Sequence, residues 1–181
     1  MLLLNVCCAP CGLPIIEYLL SEPGIVALYF YNPNIYPPPE HQRRLEAAEK
    51  VASLYNLKLY IVEYDHEGWL KFIKENLSKP PEDYPENSDR CLACFRCRLD
   101  KTALFAKENG FDSFATTLSI SRFKDTKFIN DYGKRLAEKY GLDYKTFALD
   151  AGEAHRVGLG LSKKHNIYRQ KYCGCEFSLG S

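Results

Sequence analysis

Three cysteines lie within five positions near the start of the chain, in the stretch NVCCAPC at residues 5–11. Thiols this close together indicate a metal site, a redox couple or cysteines that are buried as small hydrophobes. The stretch follows a short apolar run and contains Pro10, a residue that suits the first turn of a helix. Cys7, Cys8 and Cys11 therefore lie where a strand is predicted to give way to a helix.

A second group of three cysteines occurs in CLACFRC, where Cys91, Cys94 and Cys97 are spaced three residues apart. On a helix this spacing places the sulfur atoms within one arc of roughly 120°. Cys91 and Cys97 would lie about 9 Å apart along the axis, which is stretched for one metal centre and suits two. Burial as a small hydrophobe would explain one such cysteine, but three in register opposite three more favour metal binding.

All-thiolate sites suit zinc or an iron–sulfur cluster. A closed zinc site needs four cysteines, and six are predicted to converge here, so a four-iron cluster with a further metal, or with open thiols, accounts better for their number. Asp89, two residues before Cys91, is a candidate oxygen ligand. The alternative is structural, because Ser88 or Asp89 is also predicted to cap the helix that begins there.

Two more cysteines flank Gly174 in the tail segment KYCGCEF. A disulfide between Cys173 and Cys175 would close a very small ring, so it would be strained and easily reduced. Such bonds are typical of catalytic or regulatory pairs, and the alternative is that both thiols are further cluster ligands. We predict a redox-active pair, with the tail of residues 151–181 completing the active site.

Length and composition indicate an ordinary globular protein. The chain has 181 residues, 46% apolar and 26% charged, with a formal net charge of +1, which predicts one domain over residues 1–181. A nucleic acid would therefore have to be held by a local basic patch. The opening MLLLNV is too short for a membrane span, so we expect a cytoplasmic protein with no membrane partner. Eight cysteines in that compartment favour metal binding or redox catalysis over a disulfide framework.

Basic and aromatic residues accumulate in the proline-rich region near residue 36, after residue 120 and in the tail. Together they could follow a phosphate backbone and stack a base, and the alternative is a solvated helix face. The candidate residues for binding a nucleic acid are Tyr36, Arg43, Arg122, Lys124, His155, Arg156 and Arg169.

The order of predicted elements is typical of an α/β fold, a single domain with a mostly parallel sheet and helices on both faces. In such sheets ligands bind outside the carboxyl ends of the strands, which would bring together the loops that begin at Cys7, Asn32 and Thr116. After residue 150 we expect a short helix and loops. Strands are predicted over residues 1–6, 25–31, 57–64, 112–120 and 144–150, and helices over 10–20, 40–56, 69–77, 90–110 and 124–141.

These motifs together resemble a known family. The segments NVCCAPC, FYNPNIYPPPE, CLACFRCRL, TTLSIS and LDAGEAHRVGLGLSKKHNIYRQKYCGCEFS are similar, in order and over nearly the whole chain, to the cobalamin-independent epoxyqueuosine reductases, the QueH family. The resemblance implies reductive deoxygenation of epoxyqueuosine, a modified guanine at the wobble position of certain tRNAs, to queuosine. It also implies a HUP or PP-loop-like fold, although CCAPC replaces the phosphate loop of that group and ATP use is not expected.

The resemblance also implies roles for the cysteines by position. The implied ligands of a [4Fe–4S] cluster are Cys7, Cys8, Cys91 and Cys94. An additional mononuclear metal, iron or zinc as isolated, would be held by Cys11 and Cys97 with an Asp as a further candidate, and Cys173 and Cys175 would be the redox-active pair. The spacing itself leaves open whether Cys8 or Cys11 completes the cluster.

Removal of an epoxide oxygen takes two electrons and an acceptor for the oxygen. We expect an open metal position to contact the epoxide, the cluster to supply electrons, and the tail dithiol to relay electrons or guard the site. The partners would be the tRNA and an unidentified electron donor. Two alternatives remain open: a cluster-dependent, PP-loop-like tRNA thiolase, which would bind ATP, and a non-catalytic, zinc-stabilised nucleic-acid-binding module, which would be colourless.

Overall fold

A computed structural model describes residues 1–179 as an α/β domain built on one five-stranded sheet. All strands are parallel and their order across the sheet is β3-β2-β1-β4-β5, which confirms the predicted fold class. The strands are β1 (Leu2–Asn5), β2 (Val26–Phe30), β3 (Lys58–Ile61), β4 (Ser113–Thr116) and β5 (Asp143–Tyr144). The helices are α1 (Ala9–Leu20), α2 (Pro38–Leu54), α3 (His66–Glu75), α4 (Asp89–Glu108), α5 (Thr126–Tyr140) and α6 (Ala151–Lys164).

The central strand β1 is buried on both faces, which explains its continuous apolar sequence. Leu2 and Leu4 pack with residues of α1, α2 and α6 on one face of the sheet. Leu3 packs with residues of α4 and α5 on the other face. The period-two alternation of a strand thus divides one run of leucines between two cores.

Two predicted strands are wrong over much of their length: the one over residues 112–120 in its second half, and the one over 144–150 everywhere beyond Tyr144. β4 ends at Thr116, whose Oγ1 accepts a hydrogen bond from the backbone N of Leu118 at 3.2 Å and so starts a 3-10 turn over Thr117–Ile120. β5 comprises only two residues, because the chain leaves this edge of the sheet after Lys145 donates a last bond to Phe114. The remaining residues up to 150 connect β5 to α6 without regular structure.

The helices also differ from the prediction at the start of α2 and in the tail. α2 begins at Pro38, inside the segment predicted to be a loop, because proline is well suited to the first turn of a helix. α6 has 14 residues and is longer than the short helix expected there. Its Gly158 lies so close to α1 that a Cβ would be 2.1 Å from the backbone O of Pro10. Glycine therefore permits the close packing that places α6 beside the loop of Cys7.

Within residues 1–179 no helix combines the length and apolarity that spanning a bilayer requires.

Candidate metal centre and active-site cavity

A cavity of 410 Å³ lies beyond the carboxyl ends of β1 and β4. Its walls come from the loop after β1, the segment from Thr117 to Lys124 after β4, helix α6 and the tail. The loop after β2, which was expected to line the ligand site, instead supports the tail: the backbone N of Tyr36 donates to Gly174 O at 2.7 Å. Two of the three predicted loops therefore form the cavity directly.

The chain turns between Cys7 and Cys8, so that both thiols lie on one side. β1 ends at Asn5, Cys8 occupies the position before α1 with extended backbone angles, and the two Sγ atoms are 3.7 Å apart. Cys7 Sγ also lies 3.4 Å from Thr117 Oγ1, and Gln170 Nε2 donates to Cys8 Sγ at 3.0 Å. Neighbours from the 3-10 turn after β4 and from the tail thus contact the two adjacent thiols.

The cysteines of α4 approach the same region from the other side of the sheet. Cys94 and Cys97 are buried in a small apolar cluster with Trp69 and Ile73, and Cys175 of the tail packs against it. Cys94 interacts electrostatically with Cys173, as does Cys91. Thiols of α4 therefore meet those of the tail, next to the loop of Cys7 and Cys8.

Burial keeps most of these thiols protonated in the absence of a metal. The pKa of Cys94 is raised to about 12 by its removal from water. The neighbouring Cys11 sulfur, together with burial, raises the pKa of Cys8 to about 12, against a smaller opposing contribution from Cys7. Contact with Cys8, followed by burial, raises the pKa of Cys7 well above its ordinary value. Ionising several of these groups at once therefore requires compensating positive charge.

That positive charge is present as Arg98, which is only 3% exposed. Its Nη2 donates to the neutral Asn32 Oδ1 at 2.7 Å, and in the described part of the chain no carboxylate forms an ion pair with it. Burial works to lower the pKa of Arg98, but the Cys7, Cys94 and Cys173 sulfurs outweigh it and raise the pKa. A buried cation beside several thiols and without a carboxylate partner in the described chain fits an anionic, thiolate-bound group.

Lys124 is a second cation at the thiols. Its Nζ lies 3.4 Å from Cys173 Sγ. Burial acts to lower the pKa of this ammonium group, and interaction with the sulfurs of Cys173 and Cys7 more than reverses that effect, so its pKa is raised. The donor set and these two cations together fit an iron–sulfur cluster. Residues 1–179 contain no group of three or more Cys, His, Asp or Glu side chains spaced to hold a single metal ion.

The tail is fastened by a buried ion pair. Arg44 Nε lies 2.7 Å from Glu40 Oε1, and both side chains are almost fully buried. The same guanidinium donates to the backbone O of Cys173 at 3.0 Å and of Tyr172 at 3.1 Å. Cys173 and Cys175 are both free thiols, and their pairing as a redox couple stays a prediction.

The candidate residues for nucleic acid divide into two sets. Arg122, Lys124, His155 and Arg169 line the cavity. The other three lie elsewhere in the described chain: Tyr36 stacks on His66, Arg43 is exposed on α2, and Arg156 pairs with Glu153 on α6 at 3.5 Å. Asp89, the predicted oxygen ligand, is the exposed first residue of α4, and Ser88 occupies the capping position.

Sequence reasoning missed several residues that contact the thiols or hold the tail. Arg98 follows Cys94 by four residues, so helical spacing could have placed it on the same face. Arg44 follows Glu40 by the same spacing, which is typical of an ion pair on a helix. Gln170 and Thr117 carried no such signal, because their partners are distant in sequence.

The fold and the cavity together define a class: an α/β protein whose parallel sheet carries a thiol-rich, positively charged site at its carboxyl edge, suited to redox or metal chemistry on an anionic ligand. A family model described as epoxyqueuosine reductase QueH matches residues 2–181. The chain belongs to this family.

Curated relatives with the same description are similar to this chain over nearly all of its length. The chain is 39% identical over 180 residues to the epoxyqueuosine reductase QueH of Thermotoga maritima, covering 98% of this chain and 89% of that protein. It is 38% identical over 179 residues to the one of Histophilus somni, covering 98% and 72%. The U34-tRNA thiolase NcsA from Methanococcus maripaludis with its [4Fe-4S] cluster aligns at a TM-score of 0.45 and 15% identity, over 91% of this chain and 67% of that one.

Proposed function

We propose that this chain reduces the epoxide of epoxyqueuosine in tRNA to the alkene of queuosine, the last step of queuosine formation. Membership of the QueH family supports the activity. The observation that carries the proposal is that thiols of the β1 loop, α4 and the tail converge around Arg98. In the described part of the chain this arginine forms no ion pair with a carboxylate. With a tRNA substrate, the reaction would take place in the cytoplasm.

The reaction sets three requirements for the site. Both C–O bonds of the epoxide break, a C=C bond forms, and the oxygen leaves as water after taking up two electrons and two protons. The site must therefore bind a polyanionic RNA, deliver electrons and hold protons near the oxygen. The cavity meets the first requirement with basic residues, since it is lined by Arg44, Arg122, Lys124, His155, Arg169 and Lys171 and by one carboxylate, that of Glu86.

Cys7, Cys8, Cys91 and Cys94 would hold a [4Fe–4S] cluster in this proposal. When bound, such a cluster supplies electrons one at a time. Arg98 would stabilise the negative charge of the thiolates, and Thr117 and Gln170 would orient the Cys7 and Cys8 sulfurs. For an additional mononuclear metal, Cys11 and Cys97 are candidate ligands to which we assign no step, because the described residues form no three-donor group for one ion.

Lys124 and the two tail cysteines would have roles in proton and electron handling. Lys124 keeps its proton at neutral pH, since its pKa is raised, and its ammonium group is placed to donate to an oxygen atom of a ligand. Cys173 lines the same cavity, whereas Cys175 packs against Cys94. In this proposal the pair would cycle between dithiol and disulfide and would carry two electrons from an external donor into the site.

The activity is tested with tRNA that carries epoxyqueuosine. Anaerobically reconstituted protein and a chemical reductant should convert the modified nucleoside to one lighter by a single oxygen atom, as measured by mass spectrometry of digested tRNA. Unchanged nucleoside would contradict the proposal. Binding of ATP together with replacement of a base oxygen atom by sulfur would indicate a thiolase, and a colourless, zinc-containing protein that only binds RNA would indicate a structural module.

The ligand assignment is tested with two cysteine variants. Cys94→Ala should lose the cluster absorbance and most of its iron, whereas Cys97→Ala, three residues along the same helix, should keep the cluster absorbance. A full cluster in Cys94→Ala would refute the assignment.

The tail pair is tested by comparing two reductants. Cys173→Ser should slow turnover with the native electron donor and leave the cluster content unchanged. Undiminished turnover with both the native donor and a chemical reductant would remove the pair from the proposed mechanism.

A further inference from the structure

Phe123 is a large apolar side chain that the fold leaves in solvent at the mouth of the cavity. It is 62% exposed, and it lies in the connection between the 3-10 turn and α5. The ring lines the cavity, whose other lining residues are mostly polar or basic. An aromatic ring at the mouth of a cavity has no role in the core and is available to contact a ligand that enters there.

The backbone around Phe123 is tightly turned, and this turn fixes which side chain points outward. Phe123 N donates to Ser121 Oγ at 3.3 Å, and Lys124 N donates to Ser121 O at 3.3 Å. Lys124 then points inward to the Cys173 sulfur. The turn therefore directs two adjacent side chains to different places: Lys124 contacts the Cys173 thiol, and Phe123 lies at the rim of the cavity.

Positive charge lies beside the ring and in the same cavity. The Arg122 guanidinium carbon lies 4.6 Å from the centre of the Phe123 ring, and Lys171 and Arg169 line the same cavity. A ligand that satisfies both features carries a flat aromatic group next to negative charge. A nucleotide of single-stranded RNA has this combination, because bases stack on aromatic rings while phosphates pair with arginine and lysine.

We propose that Phe123 is a stacking platform for the base of a nucleotide that neighbours the modified wobble nucleotide, with Arg122 and Lys171 contacting its phosphates. This inference rests on the proposed function, in which the wobble nucleotide itself enters the cavity. Stacking at the rim would hold the loop of the tRNA while the modified base reaches the thiols below. Phe123 thus contributes to RNA binding and does not take part in the reduction.

The test uses an RNA hairpin with the anticodon stem and loop, in which 2-aminopurine replaces the base on either side of the wobble position. The fluorescence of 2-aminopurine is quenched when it stacks. With metal-loaded wild-type protein we expect quenching at one of the two positions. Phe123→Leu, which keeps apolar bulk but removes the ring, should lose the quenching and bind about tenfold more weakly, whereas Phe123→Trp should retain both.

Matched controls separate stacking from charge and from general surface change. Ile25→Ala removes an apolar side chain that is 69% exposed at the opposite end of the strands, and it should bind as the wild type does. Lys171→Ala should lower the salt dependence of binding by roughly 0.7 in logarithmic slope, while Phe123→Leu leaves that slope unchanged. In the reductase assay Phe123→Leu should raise KM about tenfold and keep kcat.

Wild-type binding and quenching in Phe123→Leu would overturn the inference and leave the proposed reductase activity standing. If the wild-type protein reduces the tRNA but quenches 2-aminopurine at neither position, the stacking inference is overturned and the reductase activity still stands. A wild-type protein that neither binds the hairpin nor reduces the tRNA would overturn both.

Discussion

Two buried arginines beside the cavity have opposite kinds of partner. Arg44 is 2% exposed and forms an ion pair with Glu40, so its charge is neutralised within the protein. Arg98 is 3% exposed, and its oxygen partner is the amide of Asn32. The charged neighbours that raise the pKa of Arg98 are the sulfurs of Cys7, Cys94 and Cys173.

This difference in partners indicates that one arginine has a structural role and the other acts on the thiols of the site. A neutralised arginine orders the backbone, and Arg44 does so by donating to two carbonyl groups of the tail. The positive charge of an arginine that has no carboxylate partner is not neutralised, so its electrostatic field acts on the neighbouring thiols. Substitutions at the two positions should accordingly differ in what they damage.

The largest loss of stability is expected for Arg44→Met. Removing one partner of a buried ion pair leaves Glu40 charged and unpaired, so the free energy of unfolding should fall by about 3 to 5 kcal/mol in urea denaturation. Arg43→Met, at the exposed neighbouring position on α2, should change it by less than about 0.5 kcal/mol. Equal effects of the two variants would show that the buried pair does not hold the fold.

A pH-dependent loss is expected from His41, which lies beside the same ion pair. Burial, followed by the charge of Arg44, lowers the pKa of His41 to about 4. Between pH 4 and the ordinary value of about 6.5 the unfolded chain binds more protons, so stability is complete above that window and falls as the pH drops through it. We expect a loss of about 2 to 3 kcal/mol between pH 7 and pH 4.

His41→Phe tests the origin of that loss. Phenylalanine keeps a ring against Phe30 and Tyr64 but cannot bind a proton. The difference in unfolding free energy between pH 7 and pH 4 should shrink by the same amount. An unchanged pH profile would assign the acid sensitivity to other groups.

A smaller loss is expected for Gly174→Ala, in the turn that Arg44 holds. Gly174 has φ of +107°, and a Cβ there would lie 2.9 Å from Arg44 Nη1. Strain and displacement of the guanidinium should together lower the unfolding free energy by about 1 to 2 kcal/mol. Gly160→Ala, in α6 with open space around it, should instead raise stability slightly, because alanine favours helices. Two equal responses would contradict a specific fit at Gly174.

The smallest effect on stability is expected for Arg98→Met. In metal-free protein the variant removes a buried charge and leaves no carboxylate without its partner. The unfolding free energy should therefore change by about 1 kcal/mol or less. Its effect should appear in iron bound per chain after reconstitution, which should fall well below that of Arg44→Lys. Normal iron content, or destabilisation as large as that of Arg44→Met, would remove the distinction between the two arginines.

Local sequence signals were sufficient for much of the fold. The continuous leucines of β1 are typical of a strand buried on both faces. The helix predicted over residues 124–141 ends at Tyr140, followed by Gly141 in a left-handed conformation. The predictions were wrong where one side chain redirected the backbone, as at Thr116, or where an edge strand ended early, as after Tyr144. Such ends depend on neighbours that hydrophobic periodicity does not register.

The sequence by itself determined that cysteines from three separate motifs would matter and that the first group lies at the carboxyl end of a strand. Only the tertiary structure decided which side chains surround them. Cys173 meets Lys124 across 49 positions and Arg44 across 129, and Cys8 meets Gln170 across 162. Contacts of that separation follow from how α6 and the tail pack over the sheet, which is a property of the whole core and not of any short pattern.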